Sequence, residues 1–416
     1  MKVFKFGGAS VKDAAAVRNM TRIVRQHQQD KLLVVVSAMG KTTNALEEII
    51  RLFKFGHDYQ AAVLALKQYH LNIITELFPN TGPVTDAINQ LMDELHMHLE
   101  TPDEEDKQYD QVVSLGEVMS TVIVHRFFKQ EGLNCHWVDA RNIIRTDSTF
   151  REGKVDWDET EHHCQELLQK QNHPLYLTQG FIGSDEYGNT TTLGREGSDY
   201  TAAIFASCLG ASSVTIWKDV PGVMNADPKR LPDATVFEEL PYKEAAEMTY
   251  YGASVIHPKT IKPLALKNIP LYVKSFLDPQ LPGTKIHECM VTNLPPLIVF
   301  KENQCLISCK VTDYTFIHEE QLSTIFHALN ELNIRLNVMQ NSAISFSFCI
   351  DFRENKLLAL IERLQRDFEV YYNTRLTLIT VKNYDAPHVE RYRNYPGILL
   401  EQSSRSTLQV LVRAEP

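Results

Sequence analysis

The chain has 416 residues, which is too long for one small hydrophobic core and predicts two or three domains. Its 44% hydrophobic and 23% charged residues are typical of a globular protein and exclude a disordered or fibrous one. The formal net charge of −10 argues against nonspecific binding to nucleic acid.

Two further patterns bear on where the protein works. No apolar run approaches the roughly 18 residues that a membrane helix needs, so we expect no membrane partner. Seven scattered cysteines indicate reduced thiols and a cytoplasmic protein. Cys305 and Cys309 lie in a strand-like run with nothing nearby to complete a zinc site, so we predict no metal ligands among the side chains.

The chain opens with a βαβ pattern. Residues 3–6 predict a strand that ends in a glycine turn, residues 11–28 a helix, and the apolar run 32–37 a strand buried on both faces. This unit implies a parallel sheet. Lys5 ends the first strand, where ligands bind in open α/β sheets, and its compact charge suits a phosphate. A solvated lysine is an equally good interpretation of this motif alone.

The next stretch is mainly helical. Residues 45–99 have a helical pattern with polar breaks near 78–83, and residues 101–107 form a charged surface loop. The letters SLGE at residues 114–117 predict the start of an apolar helix that runs to Phe128. Glu117 would then lie in a first helical turn, where it is either a partner of the helix dipole or a partner of a substrate ammonium group.

Residues 190–203, TTTLGREGSDYTAA, predict a loop that feeds the N-terminus of a helix. Such a terminus attracts anions because its N–H groups are unpaired. Gly194 and Gly197 let the backbone approach a ligand, and Arg195 can grip a carboxylate or phosphate with two bonds. Asp199 adds a negative charge just inside the helix. An ordinary capped helix stays open as the alternative.

Short strands are also predicted at residues 133–138, 175–177 and 214–217. The last of them leads into KDVPGVMNADPKR, a loop rich in proline, glycine and charge that suits a nucleotide clamp. A helix follows at residues 242–250, and a second helix then leads to a strand that ends at Lys274.

Residues 279–296 hold four prolines and mark the best domain boundary. Beyond them, strands and helices alternate as βαββαβ, a ferredoxin-like layout, at residues 305–311, 319–332, 335–341, 344–351, 354–368 and 376–381. A second copy begins near residue 381. It is truncated to one short helix at 388–394 and a final hairpin.

Four motifs, KFGGAS, TLGREGSDYTAA, DVPGVMNADPK and YGASVIHPKT, occur in this order within the first 280 residues. Together they resemble the aspartate kinases of the amino-acid kinase family, and the C-terminal part resembles tandem ACT domains. The resemblance implies an α/β domain at residues 1–285, with a mainly parallel sheet sandwiched by helices. It implies an α+β ferredoxin-like ACT region at 286–416, with one complete unit at about 305–383.

The resemblance also implies an activity: ATP-dependent phosphorylation of the side-chain carboxylate of L-aspartate, with Mg²⁺, as the first step of lysine, threonine and methionine synthesis. It implies a homodimer with an amino-acid effector at the ACT region. By the same resemblance, the catalytic residues are Lys5 and Asp199. The aspartate-binding residues are Ser37, Thr43, Glu117, Phe181, Arg195 and Ser198. The ATP-binding residues are Gly7, Gly8, Ser10, Lys218, Asp219, Met224, Asp227, Lys229 and Lys274.

Three departures from the family pattern matter. Glu196 stands where the family has glycine, and Lys218 stands where it has threonine. Ser254 stands where the family has a second lysine that neutralises phosphate, so Lys259 or Lys274 is expected to compensate.

Two alternatives stay open: an enzyme of the same family that acts on another acid such as glutamate, and a catalytically weak amino-acid sensor. The enzymatic interpretation requires that Lys5 and Arg195 share one cleft. The shortened second copy predicts weak or absent feedback by lysine or threonine.

Overall fold

The computed structural model describes residues 1–170, 172–253, 256–291, 294–312 and 316–413. The chain forms two compact units. The first comprises Met1–Val223, Val236–Ala246 and Val255–Val291, and the second comprises Met224–Thr235, Glu247–Ser254 and Thr292–Pro416. None of the helices in the described ranges combines the length and the apolar character that a membrane crossing requires.

Ten strands and nine helices are described up to residue 291. The strands are β1 (Lys2–Phe6), β2 (Leu32–Val36), β3 (Cys135–Val138), β4 (Leu175–Gln179), β5 (Ile182–Ser184), β6 (Thr190–Thr192), β7 (Ser213–Lys218), β8 (Glu239–Pro241), β9 (Leu271–Ser275) and β10 (Thr284–His287). The helices are α1 (Ala14–Gln26), α2 (Thr42–Lys54), α3 (Gln60–Leu77), α4 (Gly82–Glu100), α5 (Glu105–Gln130), α6 (Trp157–Lys170), α7 (Gly197–Cys208), α8 (Tyr242–Tyr250) and α9 (Pro258–Leu266).

Eight of these strands form one sheet in the order β3-β4-β2-β1-β7-β9-β10-β8. The pairs are parallel except β9 with β10. All five residues of β2 are buried, as its apolar run predicts for a strand covered on both faces. Strand β1 is central, with β2 on one side and β7 on the other. The chain changes direction across the sheet at this point, and ligands of open α/β sheets bind at such a switch.

Helix α5 differs from its prediction. It begins at Glu105, so the SLGE stretch lies in its middle and Glu117 is not in a first turn. The glycine of the SLGE stretch is there for packing. A Cβ on Gly116 would lie 2.8 Å from Cγ2 of Thr42 and 3.1 Å from Cδ1 of Leu46. Glycine therefore lets α5 lie directly against α2, and this contact positions Glu117.

The second unit holds a six-stranded antiparallel sheet in the order β12-β13-β11-β14-β16-β15. Its strands are β11 (Leu297–Lys310), β12 (Leu336–Asn341), β13 (Ser345–Asp351), β14 (Glu369–Lys382), β15 (Ile398–Ser403) and β16 (Thr407–Arg413). Its helices are α10 (Glu319–Glu331), α11 (Glu354–Leu364) and α12 (Ala386–Arg393). The α/β fold class with a mainly parallel sheet and a ferredoxin-like C-terminal region is thus confirmed.

The two long strands, β11 and β14, belong to two ferredoxin-like halves at once. Their register is interrupted between Lys301 and Leu306, so each strand has two segments. One half has the strand order β12-β13-β11-β14, and the other has the order β15-β16-β14-β11. The second copy is therefore less truncated than expected, because residues 297–301, which precede the first copy, supply its fourth strand.

The second half has one helix, α12, among its described residues. Tyr392 of α12 is buried against Ile379, Val381 and Val410 of the sheet. The loop after β7 supplies further cover, because Ala226, Leu231 and Ala234 join the same hydrophobic cluster.

Strand β10 was not predicted. It falls inside the proline-rich segment 279–296, which we expected to be a boundary between domains. Its four residues alternate buried Thr284 and Ile286 with half-buried Lys285 and His287. Four residues between prolines are too few for the period-two pattern to stand out from a loop.

Candidate active site

A cavity of about 730 Å³ lies in the first unit, at the carboxyl ends of β1, β2 and β7. It is lined by Lys5, Gly8, Ser37, Ala38, Gly40, Thr43, Tyr109, Glu117, Arg151, Glu152, Phe181, Thr192, Gly194, Arg195, Glu196, Gly197, Ser198, Asp199 and Lys218. Motifs that are almost 200 residues apart in the chain therefore meet around one space. Lys5 and Arg195 share this cleft, which the enzymatic interpretation requires.

Two lysines flank one buried carboxylate in this cavity. Lys5 Nζ lies 2.5 Å from Oδ1 of Asp199, and Lys218 Nζ lies 3.9 Å from its Oδ2. The side chain of Asp199 is 3% exposed, whereas those of Lys5 and Lys218 are 12% and 23% exposed. The register of β1 with β7 explains the meeting, because Phe6 lies opposite Trp217 and both lysines are close to the strand ends. The cluster has a net positive charge that faces the cavity.

Helix α7 begins at the cavity wall. Glu196 precedes its first residue with φ of +53°, a left-handed conformation that glycine adopts most easily. The Glu196 carboxylate does not stay free among the anion-binding groups, because it accepts a hydrogen bond of 2.9 Å from the backbone N–H of His257. This bond accounts for the glutamate that departs from the family pattern. Arg195 and Ser198 lie on either side of this turn and line the cavity.

Glu117 lies on the cavity wall opposite, in the middle of α5, and its side chain is buried. Burial raises its pKa to about 8, against the lowering effects of the Lys5 charge and of the hydrogen bond from the Ala38 backbone. Its Oε2 atom has no hydrogen-bond partner in the described part of the chain. A buried carboxyl oxygen without a partner is costly, so this group is suited to a cationic ligand.

The turn after β1 approaches the turn after β2 closely. A Cβ on Gly8 would lie 2.8 Å from the carbonyl oxygens of Ala38 and Gly40, so only glycine fits here. Gly7 lies beside Lys5, with 3.4 Å between an added Cβ and Nζ. Ser10 is buried and donates a 2.6 Å hydrogen bond to the Gly7 carbonyl, which closes the turn.

Ser37 follows β2, and Thr43 lies in the first turn of α2. Both line the cavity, as does Phe181, which precedes β5. All six residues predicted to bind aspartate therefore lie on one cavity.

Sequence reasoning missed several cavity residues. Arg151 adds a positive charge. Its guanidinium carbon lies 4.0 Å from the centre of the Tyr109 ring, and its Nε lies 2.5 Å from Oδ1 of Asp106. Buried Asp110 holds this wall together, since it accepts hydrogen bonds from the backbone N–H groups of Arg151 and Thr192. These residues lie in a polar loop and inside a helix, where no motif marks them.

Some residues predicted to bind ATP lie elsewhere. Asp219 does not line the cavity, and Met224, Asp227 and Lys229 belong to the second unit. The Asp227 carboxylate accepts a hydrogen bond from the backbone N–H of Lys229, which shapes the loop. Their contact with a nucleotide stays a prediction.

The two lysines expected to compensate at the phosphate do not reach the cavity. Lys274 Nζ lies 5.8 Å from the centre of the Trp217 ring, and burial lowers its pKa. Lys259 lines a separate pocket beside Trp157 and Tyr200. Ser254 lies outside the described residues. In the described part of the chain, Lys218 is the second lysine that accompanies Lys5 on the cavity.

The cavity thus brings together cations and a carboxyl group of different kinds. Lys5 and Lys218 form a cationic end beside a glycine turn, which suits phosphate groups. Arg195 and Glu117 offer a cation and an anion on the other walls, which suits a zwitterion such as an amino acid.

Comparison with known proteins agrees with this geometry. Residues 1–275 match the amino acid kinase family. The lysine-sensitive aspartokinase 3 of Escherichia coli (strain K12) is 34% identical over 357 residues, which cover 84% of this chain and 78% of that protein. The crystal structure of E. coli aspartokinase III in complex with aspartate and ADP has a TM-score of 0.84 and 29% identity, and the match covers 99% of this chain and 96% of that one.

The bifunctional aspartokinase/homoserine dehydrogenase 2 of Arabidopsis thaliana is 28% identical over 400 residues. The match covers 91% of this chain but only 43% of that longer protein. This chain therefore corresponds to less than half of the Arabidopsis protein. The chain belongs to the amino acid kinase family and, within it, to the aspartokinases.

Proposed function

We propose that the protein is an aspartate kinase, which transfers the terminal phosphoryl group of ATP to the side-chain carboxylate of L-aspartate. The product is 4-phospho-L-aspartate, the entry to lysine, threonine and methionine synthesis. The observation that carries this proposal is the single cavity that joins Lys5, Asp199 and Lys218 to Arg195 and Glu117. The E. coli relative that was crystallised with aspartate and ADP supports the choice of substrates.

The amino acid lies at the end of the cavity formed by the start of α7 and the middle of α5. Arg195 binds the α-carboxylate with its planar guanidinium, and Ser198 supports this contact. Glu117 binds the α-ammonium group, which gives its Oε2 the partner that it otherwise lacks. Ser37, Thr43 and Phe181 line the remaining walls and orient the side chain.

The triphosphate lies at the end formed by β1 and β7. Lys5 contacts the transferred group, with Asp199 holding its ammonium in place. Lys218 supplies the second positive charge on the same carboxylate. The glycine turn at Gly7 and Gly8 carries no side chains that would keep the phosphates from its backbone.

The chemistry requires charge compensation more than proton transfer. The attacking oxygen of aspartate is already ionised at neutral pH, so no general base is needed. A carboxylate and a polyphosphate repel each other, and the cations of the cavity offset this repulsion. Catalysis therefore rests on positioning and on electrostatic stabilisation of charge in the transition state.

Magnesium enters with the nucleotide in this proposal. Two carboxylates on the cavity already have partners: Asp199 contacts two lysines, and Glu196 accepts a hydrogen bond from a backbone N–H. They therefore do not form a complete ligand set for a free ion. The site instead suits Mg²⁺ that would be held mainly by phosphate oxygens, with Asp199 as the nearby carboxylate. When bound, the ion neutralises phosphate charge.

From the sequence resemblance alone we infer that the loop after β7 contacts the adenosine, through Asp219, Met224, Asp227 and Lys229. Lys274 is assigned to the same end from the sequence resemblance. We further infer a catalytic domain at residues 1–285 and a regulatory region at residues 286–416 that binds an amino-acid effector and pairs two chains in a homodimer. The seven free cysteines support a reducing, cytoplasmic location.

Coupled measurement of ADP release with L-aspartate and with L-glutamate tests the activity. We expect turnover with aspartate and little with glutamate. Lys5→Ala should lower kcat by roughly a hundredfold or more, the size seen when a transition-state charge partner is removed. Lys2→Ala is the matched control, because Lys2 lies on the same strand and pairs with Asp30. ATP binding without aspartate-dependent turnover would instead favour an amino-acid sensor.

A further inference from the structure

Three metal-ligating side chains converge at an edge of the large sheet, away from the residues that line the cavity. They are the carboxylate of Glu239, the imidazole of His287 and the thiol of Cys289. One ligand atom from each lies within 4.8 Å of the other two. Among the residues that the structure describes, this is the one group of three or more such side chains whose ligand atoms lie so close together.

The strand register explains the convergence. Edge strand β8 pairs in parallel with β10, which places Lys285 opposite Glu239. His287 lies two residues beyond Lys285 and therefore faces the same side of the sheet as Glu239. Cys289 follows two residues later, just after β10 ends.

The cluster is not explained by an ion pair alone. His287 Nε2 is buried and has no hydrogen-bond partner, although Glu239 Oε1 lies 3.4 Å away. A buried imidazole nitrogen without a hydrogen-bond partner is poorly satisfied. The Glu239 carboxylate, in contrast, reaches solvent and also lies 4.0 Å from Lys285 Nζ. Cys289 is a free cysteine whose thiol lies at the same point. A cation among the three atoms would give the His287 nitrogen the partner that it lacks.

We propose that Glu239, His287 and Cys289 form a binding site for Zn²⁺. Thiolate, imidazole and carboxylate are the ligands that zinc takes in proteins, whereas Mg²⁺ and Ca²⁺ select oxygen alone. Three protein ligands leave a fourth position for water. The Glu239 side chain is 51% exposed, so the ion can enter from solvent.

The bound ion would join β8 to β10. Strand β8 has only three residues and lies at the sheet edge, where it pairs with β10 alone. A metal that binds ligands on both strands stabilises the folded form by its binding free energy. Zinc therefore acts as a structural cross-link, and the site does not depend on the kinase proposal.

Cobalt(II) titration of the metal-free, untagged full chain tests the site. We expect about one equivalent of Co²⁺ to bind with a thiolate-to-metal charge-transfer absorption that Zn²⁺ abolishes. Cys289→Ser should remove this absorption, and His287→Ala should weaken Zn²⁺ binding by at least about tenfold. Glu288→Gln is the control, since Glu288 lies between two ligands and outside the cluster; it should bind as the wild type does.

Thermal unfolding provides a second measurement. Zn²⁺ should raise the Tm of the wild type and of Glu288→Gln, and leave that of Cys289→Ser unchanged. The proposal is overturned if the wild type shows no charge-transfer absorption, or if Cys289→Ser retains it. Neither measurement uses catalysis, so a failure here is distinct from a failure of the proposed activity.

Discussion

The proposed contact of Glu117 with the α-ammonium group predicts that aspartate binding depends on pH. This carboxyl is buried, and its pKa of about 8 means that roughly one molecule in ten is ionised at pH 7. An ammonium group binds the ionised form. Binding at pH 7 therefore includes a cost of about 1 kcal/mol to remove the proton, which weakens it roughly tenfold relative to binding well above pH 8.

The sign follows from the same shift. Below pH 8 the free protein carries a proton on Glu117 that the aspartate complex releases, so rising pH strengthens binding. We expect the KM for aspartate to fall by close to tenfold per pH unit between pH 6 and 7.5, and to level off above pH 8. Initial rates at saturating ATP measure this slope directly.

Glu117→Gln isolates the effect. The amide keeps the shape but cannot ionise, so KM should be higher than in the wild type above pH 8 and should lose its slope. Glu152→Gln removes another carboxylate of the cavity and should keep the slope. A wild-type KM that stays flat from pH 6 to 8.5, or an equal slope in Glu117→Gln, would refute the reasoning.

Three further predictions concern the cavity, the packing of α5 on α2, and the C-terminal ferredoxin-like region. Lys218→Met should lower kcat about a hundredfold and change the KM for aspartate by less than about twofold, because this lysine faces the phosphate end; a change confined to KM would contradict that placement. Gly116→Ala should lower the free energy of unfolding by about 1–3 kcal/mol, because the added Cβ would overlap Thr42. Urea denaturation measures this change, and Gly82→Ala, where the atom nearest to an added Cβ is 3.5 Å away, is the control. Lysine and threonine at low millimolar concentration should inhibit weakly or not at all, because the second ferredoxin-like half has a single helix, α12, among its described residues; clear inhibition in the kinase assay would contradict this expectation.

The two glycine turns of the candidate site were predictable because they are local. A short strand, a glycine turn and a buried strand follow one another in the first 37 residues, and their order specifies a parallel pair. The helix after the glycine-rich segment likewise begins where its pattern predicts, at Gly197. In both places neighbouring residues determine the backbone conformation.

Predictions failed where packing against distant residues decides. The SLGE stretch suggests a helix start when only its neighbours are considered, yet Gly116 lies inside α5 because Thr42 and Leu46 need the space. Arg151 carries no motif and reaches the cavity through contacts with Tyr109 and Asp110. The long strands β11 and β14 each serve two ferredoxin-like halves, which a linear division into copies cannot express.

By itself, the sequence determined the α/β class, the family and most residues of the candidate site, because strand periodicity, glycine turns and charged motifs are properties of short segments. Only the tertiary structure decided which lysine accompanies Lys5. Lys218 and Lys274 both lie near strand ends, but one side chain faces the cavity and the other packs on Trp217. The raised pKa of Glu117 is also visible only in the tertiary structure, since burial depends on which elements cover a residue. Distances between segments far apart in the chain arise from packing, and no local pattern records them.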